Sequence, residues 1–255
     1  MIDIHCHILP AIDDGPAAVE ESVEMCRMAA SDGINTVVAT PHFNSVSSND
    51  DPARVMAAAA ELDAACRREG IPLKVLAGAD VSISSELPTY LKTVPHLTIN
   101  RTGRYFLAEF PHNHVLPNWE RFFLSLLASG FVPIITHPER NAWFMNNPDA
   151  LFPVVAKGVM VQITAMSLTG EFGEDAQEVS LYLLRHNLAH VIATDAHSVT
   201  YRPPVLSEAL SLAADLIGPE KARRLVEDIP SAIIEGKPIA LDAPLSPGAR
   251  KTGLF

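Results

Sequence analysis

Residues 1–15 read MIDIHCHILPAIDDG. The stretch opens with a short apolar run, Ile2-Asp3-Ile4-His5, and bends before a helical pattern begins. In an extended strand, residues two apart share a side. His5 and His7 can therefore aim two imidazoles at one point while Cys6 faces away. Asp13-Asp14-Gly15 alone is a turn, and Pro16 suits the first position of a following helix. The unit is an apolar strand that ends in a polar group and hands over to a helix. Its recurrence decides the fold.

The same kind of run returns as NTVVAT (35–40), PLKVLAG (72–78), RYFLAEF (104–110), FVPIIT (131–136), VMVQIT (159–164) and AHVIAT (189–194). Amphipathic segments lie between them. The clearest spans Ala17 to Ser31, with Val19, Val23, Cys26 and Ala30 at helical spacing. Pro52–Glu69, Asn118–Ser129, Asp149–Ala156, Glu174–His186 and Pro204–Ile217 follow the same rhythm. Such alternation predicts a parallel sheet covered by helices. Nearly every run ends in a polar group: His5, His42, Asp80, Glu109, His137, and Asp195 with His197. A doubly wound sheet would gather such residues at its switch point. A (β/α) barrel opens all strand C-termini onto one face, so the barrel is expected.

The 255 residues suit one domain over 1–240, followed by a tail over 241–255 that carries Pro, Gly and Ser. Hydrophobic residues make up 48%, enough for a sizeable core. A formal net charge of −11 and the lack of a dense basic run argue against nucleic-acid backbone binding. Cys6, Cys26 and Cys66 are an odd set without paired spacing, which fits a reducing cytoplasm. No leader-like or long apolar run appears, so no membrane insertion is expected. The Ser/Asn/Asp-rich loop Asn44–Asp51 is expected to cover the barrel mouth.

ATPH (39–42), THPER (136–140) and TDAH (194–197) each place a histidine just after an apolar strand. One such histidine is more often structural than a ligand. Five, together with several carboxylates at one mouth, would repel one another and suffer desolvation. Divalent cations relieve both problems, and mixed imidazole and carboxylate donors suit Mn, Zn or Fe. About nine candidate donors imply two or three metals, a hydrolytic arrangement. Arg140 and Arg202 lie just past His137 and His197. Beside metals, a planar guanidinium suits bidentate phosphate binding.

HCH, DDG, ATPH, GAD, AEF, THPER and TDAH, in that order, resemble the PHP (polymerase and histidinol phosphatase) family. The opening fifteen residues, the EES helix, THPER and a late RPP are more narrowly similar to bacterial manganese-dependent protein-tyrosine phosphatases of capsule and exopolysaccharide operons. The likeness runs from Met1 to about Ile234. It implies a distorted seven-stranded (β/α) barrel with three metals. The first would be held by His5, His7, Asp80 and Asp195. Asp80 would bridge to a second, shared with Glu109 and His137. The third would take Asp14, His42 and His197, while Arg140 and Arg202 would hold the substrate phosphate. One departure stands out: the family usually carries glutamate at the bridging position, and this chain has Asp80, one methylene shorter.

The resemblance implies hydrolysis of phosphotyrosine by cation-activated water, with Mn the expected metal and no covalent intermediate. His42 is a candidate to assist the leaving group. The implied partner is the tyrosine-rich tail of a bacterial autokinase that controls polysaccharide export; oligomeric state stays open. The rival readings are a PHP phosphatase for a small ester, such as histidinol phosphate or a nucleotide, and a non-catalytic metal-binding module. A cysteine-dependent phosphatase is excluded, because it needs arginine six residues after its cysteine. Ile12, Asp32 and Pro72 stand there instead. Phe43, Phe110, Trp143 and Tyr201 could face a phosphotyrosine ring, although core or loop packing is the favoured reading.

Overall fold

The computed structural model describes residues 1–44 and 51–245. All seven apolar runs form strands: β1 Ile2–Cys6, β2 Thr36–Ala39, β4 Lys74–Ala77, β6 Tyr105–Glu109, β7 Val132–Thr136, β8 Met160–Thr164 and β9 Val191–Ala193. Two short strands add to them, β3 His42–Phe43 and β5 Asp80–Ser82. Every strand pairing is parallel. Strands β2 and β8 are buried along their whole length, as expected of strands covered on both faces.

The strands form two sheets, ordered β1-β2-β4 and β3-β5-β6-β7-β8-β9. They meet at β1, where Cys6 bridges in parallel to Ala196 just beyond β9. His7 N donates to Ala196 O (2.8 Å), and Asp195 N donates to His5 O (2.8 Å). The HxH segment and the TDAH segment are therefore stitched side by side. On the other flank, Asp80 N donates to Pro41 O (3.1 Å), and His42 pairs in register with Asp80. These backbone bonds bring residues from the start, middle and end of the chain to one rim.

Helices Val19–Ser31, Pro52–Arg68, Trp119–Ala128, Glu174–Arg185 and Ser207–Ile217 lie within the expected segments. Pro52 starts its helix, and the Asp51 side chain caps it by accepting from Ala53 N (2.9 Å). The segment 149–156 departs from expectation. It is a 3-10 turn, Pro148–Leu151, followed by a four-residue helix, Phe152–Val155. Pro153 has no N–H to continue a single helix through that point. Helices Leu87–Thr93, Ala142–Asn146, Ala165–Thr169, Pro219–Val226 and Asp228–Ile234 add to the expected set.

The segment expected to be a loose tail begins tied down. Leu245 N donates to His186 O (2.8 Å), Asn187 Nδ2 donates to Ala243 O (3.0 Å), and Asp242 pairs with Lys221 and Arg224. Residues 246–255, like 45–50 of the expected covering loop, lie outside the described residues.

Candidate metal centre

The first donors come from β1 and the bend after it. His5 and His7 are fully buried, with Nε2 atoms 3.2 Å apart, so both rings point to one spot. Cys6 faces the other way, its Sγ 3.9 Å from Ala196 O, and burial pushes its thiol well up. The DDG turn then folds tightly under His7. A Cβ on Gly15 would stand 2.3 Å from the His7 carbonyl oxygen, so only glycine fits. That turn sends Asp14 toward the mouth, its Oδ1 3.4 Å from His197 Nε2 and 3.7 Å from His42 Nε2.

Two other donors sit on unusual backbone. His137 (φ 33°) and Asp195 (φ 51°) are left-handed, just past β7 and β9. Such angles are uncommon for non-glycine residues, with Asp and His among those that adopt them most readily. His137 Nε2 lies 3.8 Å from Glu109 Oε1, and His42 Nδ1 lies 3.4 Å from Glu109 Oε2. All nine donors named from the sequence meet at one rim. Their atoms fall into four overlapping groups: His7-Asp14-His42-His197, His5-His7-Asp80, His5-His137-Asp195 and His42-Asp80-Glu109. Glu109 lies near both His137 and His42, and His7 lies near both His5 and His197.

Hydrogen bonds fix which nitrogen each ring offers. His5 Nδ1 is 2.9 Å from Gln162 Oε1, His7 Nδ1 is 2.6 Å from Asp13 Oδ2, and His197 Nδ1 is 2.9 Å from the Asp195 carbonyl oxygen. With Nδ1–H donating to those oxygens, Nε2 of His5 and His7 keeps its lone pair for a cation, while His197 Nε2 lies 3.2 Å from Arg202 Nη1. Asp13 thus supports His7, and its oxygens also accept from His42 N (3.0 Å) and Gly15 N (3.1 Å). Asp3 braces the TDAH turn, accepting from Thr194 N (3.1 Å), from the Thr194 hydroxyl and from His5 N (3.2 Å).

The electrostatics match a cation site. Burial pushes His7 down to about 4 and His137 to about 3, so both are neutral near pH 7. Burial would raise Asp195, yet His5, His137 and Arg202 hold it well below the usual carboxylate range. Asp14 is held low chiefly by its hydrogen bond to His197. Burial would lower His42, but Asp80 and Glu109 outweigh it and raise the ring to about 11. Asp80 is the sharpest case. It is fully buried, and burial followed by the Glu109 charge raises its pKa. Its Oδ2 stands 3.6 Å from His5 Nε2 and 3.5 Å from His42 Nδ1, within ion-pair range. Among the described residues neither Asp80 oxygen nor His42 Nδ1 has a hydrogen-bond partner. A buried carboxylate left this way is costly unless a cation answers it, so the residues fit a divalent metal.

Arg140 and Arg202 both pair with Asp195 Oδ2 and carry fixed positive charge to the rim. Tyr201 is 87% exposed beside them, whereas Phe43, Phe110 and Trp143 pack within aromatic clusters of the interior. Three residues were missed from the sequence: Gln162, Glu139 and Phe172. Gln162 had a signal, a lone amide inside the buried run VMVQIT. Glu139 lay in THPER; it is fully buried and accepts from Thr164 N (2.9 Å) and Ser167 Oγ (2.8 Å).

Fold and site together define a class: an α/β protein with parallel strands whose ends carry a metal-type cluster of imidazoles and carboxylates. The family described as capsular polysaccharide synthesis, CpsB/CapC, matches residues 1–235, and this chain belongs to it. It is 42% identical over 228 residues to tyrosine-protein phosphatase YwqE of Bacillus subtilis, covering 89% of each chain. It is 35% identical over 237 residues to the CapC of Staphylococcus aureus, covering 93% of this chain and 90% of that one. Its fold matches a chain from the crystal structures of YwqE from Bacillus subtilis and CpsB from Streptococcus pneumoniae, described as unique metal-dependent tyrosine phosphatases. The TM-score is 0.90 at 41% identity, over 96% of this chain and 98% of that one. A phosphotriesterase homology protein from Escherichia coli shares the fold alone, with a TM-score of 0.59 at 13% identity, over 91% of this chain and 98% of that one.

Proposed function

We propose that this chain is a metal-dependent hydrolase of phosphotyrosine in proteins, and that its substrate is a tyrosine autokinase of capsule or exopolysaccharide synthesis. The observation that carries the reading is the buried donor cluster, with its orphaned Asp80 carboxylate, beside two guanidinium groups that converge on Asp195. His5, His7, Asp14, His42, Asp80, Glu109, His137, Asp195 and His197 would hold two or three divalent ions, Mn before Zn or Fe. Bound there, such ions supply Lewis-acid polarisation and lower the pKa of water. Arg140 and Arg202 bind and orient the phosphoryl oxygens and oppose the charge that builds on them. The leaving phenolate has an ordinary pKa near ~10 and needs little protonation.

The same reading takes residues 1–240 as one domain with a (β/α)7 barrel. The Cys6–Ala196 bridge supports closure between β9 and β1. We further propose a cytoplasmic protein, in keeping with three cysteines of no paired spacing. No helix among the described residues is long and apolar enough to cross a membrane.

The test is turnover by chelated protein resupplied with Mn²⁺, first on p-nitrophenyl phosphate. A phosphotyrosine peptide, histidinol phosphate and a nucleotide monophosphate then follow as rival substrates. Mn²⁺ should restore hydrolysis, and the peptide should be preferred. Equal turnover of the three rivals would remove the phosphotyrosine assignment, and no metal-dependent turnover would remove the enzyme.

A further inference from the structure

Phe172 stands half-buried between the Ala165–Thr169 and Glu174–Arg185 helices. Its ring centroid lies 4.4 Å from Arg140 Cζ and 5.8 Å from Arg202 Cζ. These are cation–π distances, and one ring covers both guanidinium groups. Phe172 belongs neither to the hydrophobic core nor to the apolar side chains packed against it. Among the described residues it stacks on no other aromatic ring. A large apolar side chain kept out of the core and set over two cations at a site rim calls for an explanation other than packing.

The backbone shows the ring is presented on purpose-built geometry. Gly173 N donates to Gly170 O (2.9 Å), closing a turn with Glu171 and Phe172 at its centre. Gly170 and Gly173 have φ of +100° and +95°, angles that other residues rarely adopt. Gln177 Nε2 donates to Leu168 O (3.0 Å), tying the following helix back to the one before the turn. The position of Phe172 is thus set by the turn, and its face by the two arginines.

We propose that Phe172 is the specificity-determining wall of the phosphate pocket, against which the aryl group of the substrate lies. This rests on the phosphotyrosine reading above. A phosphate held by Arg140 and Arg202 places its ester substituent beside the ring that covers them. An aryl substituent gains ring–ring contact there, while a short alkyl substituent does not reach it.

The test is calorimetric binding of phenylphosphonate and methylphosphonate to Mn²⁺-loaded protein. Phe172→Ala should weaken phenylphosphonate at least tenfold and methylphosphonate less than threefold. Phe172→Tyr and Phe172→Trp should keep phenylphosphonate within threefold of the wild type. If Phe172→Ala does not fold, Phe172→Leu makes the same comparison, with at least a threefold selective loss expected. Equal loss of both ligands would overturn the proposal and reduce Phe172 to a brace for the arginines; no loss of either would overturn it outright. Binding is read without turnover. Failure of the wild type to hydrolyse phosphotyrosine therefore counts against the functional reading, and the phosphonate comparison decides Phe172 by itself.

Discussion

Gln162 Oε1 lies 2.9 Å from His5 Nδ1, a contact between residues 157 positions apart in the chain. It comes from the middle of β8 and fixes the ring of β1. With Nδ1–H donating to Gln162, the Nε2 of His5 faces His7, Asp80 and Asp195 with its lone pair free. The amide nitrogen of Gln162 is buried without a partner among the described residues. The residue therefore burdens the folded protein slightly while it orients a donor.

Gln162→Leu should separate those two effects. Mn²⁺ affinity should fall about 10- to 100-fold, the usual loss when a ligand's outer partner is removed. The melting temperature of the chelated protein should change little, because the unpaired amide N–H is removed while the buried His5 Nδ1–H loses its acceptor. Metal titration and thermal melts check both. Unchanged affinity would show that Gln162 does not orient His5 for a cation.

Asp80 carries the larger burden. Its carboxylate is fully buried, and among the described residues neither oxygen has a hydrogen-bond partner. Asp80→Asn removes the charge and its repulsion with Glu109. The chelated variant should be more stable by about 1 kcal/mol. Mn²⁺ should stabilise it far less than it stabilises the wild type, since linkage gives metal stabilisation only where metal binds. Denaturant melts with and without Mn²⁺ measure both. A variant that is less stable when chelated, yet binds metal normally, would mean that Asp80 is a structural ion-pair partner.

Much of this site was legible because strands are short and periodic. His5 and His7 share a face by spacing alone, and strand ends at His137 and Asp195 announce a common rim. Side-chain reach across the rim was less legible: it puts Glu109 3.4 Å from His42 as well as 3.8 Å from His137. Strands β3 and β5 were missed because two or three residues carry no period. Phe172 was missed for a different reason. An aromatic residue between glycines reads as loop, and only the fold shows two arginines under its face. The helix break at Pro153 was readable in principle, since a proline inside an expected helix marks its own boundary.

Cys6 tests the chemistry from the other side. It lies between two of the proposed ligands, but its thiol faces away, is fully buried and is pushed well up in pKa. Such a thiol is inert. Cys6→Ala should keep kcat/KM within threefold and cost about 1 kcal/mol of stability from lost packing. His7→Ala, by contrast, should lose more than a hundredfold in kcat/KM. Loss of activity in Cys6→Ala at full metal content would reopen a cysteine mechanism.

His190 makes a pH prediction at the opposite end of the strands, just before β9. It is 4% exposed; its Nδ1 accepts from Val161 N (3.0 Å), and its Nε2 has no partner among the described residues. Burial lowers its pKa to about 4 from the ordinary 6.5, against a weaker upward pull from Asp242. The unfolded chain therefore takes up a proton near pH 6.5, and the folded chain resists it until about pH 4. Stability from this group is whole above pH 6.5, drains as pH falls through that window, and changes no further below it. A depression of that size corresponds to about 3 kcal/mol. His190→Asn keeps an acceptor for Val161 N and does not titrate. The stability gap between wild type and variant, from urea melts of chelated protein, should therefore shift by about 2–3 kcal/mol between pH 7.5 and pH 4. The shift should go against the wild type as pH falls. Titration of the metal-site histidines cancels in that gap, because both proteins carry them. A gap that stays constant across the window would show that His190 is not held neutral by the fold.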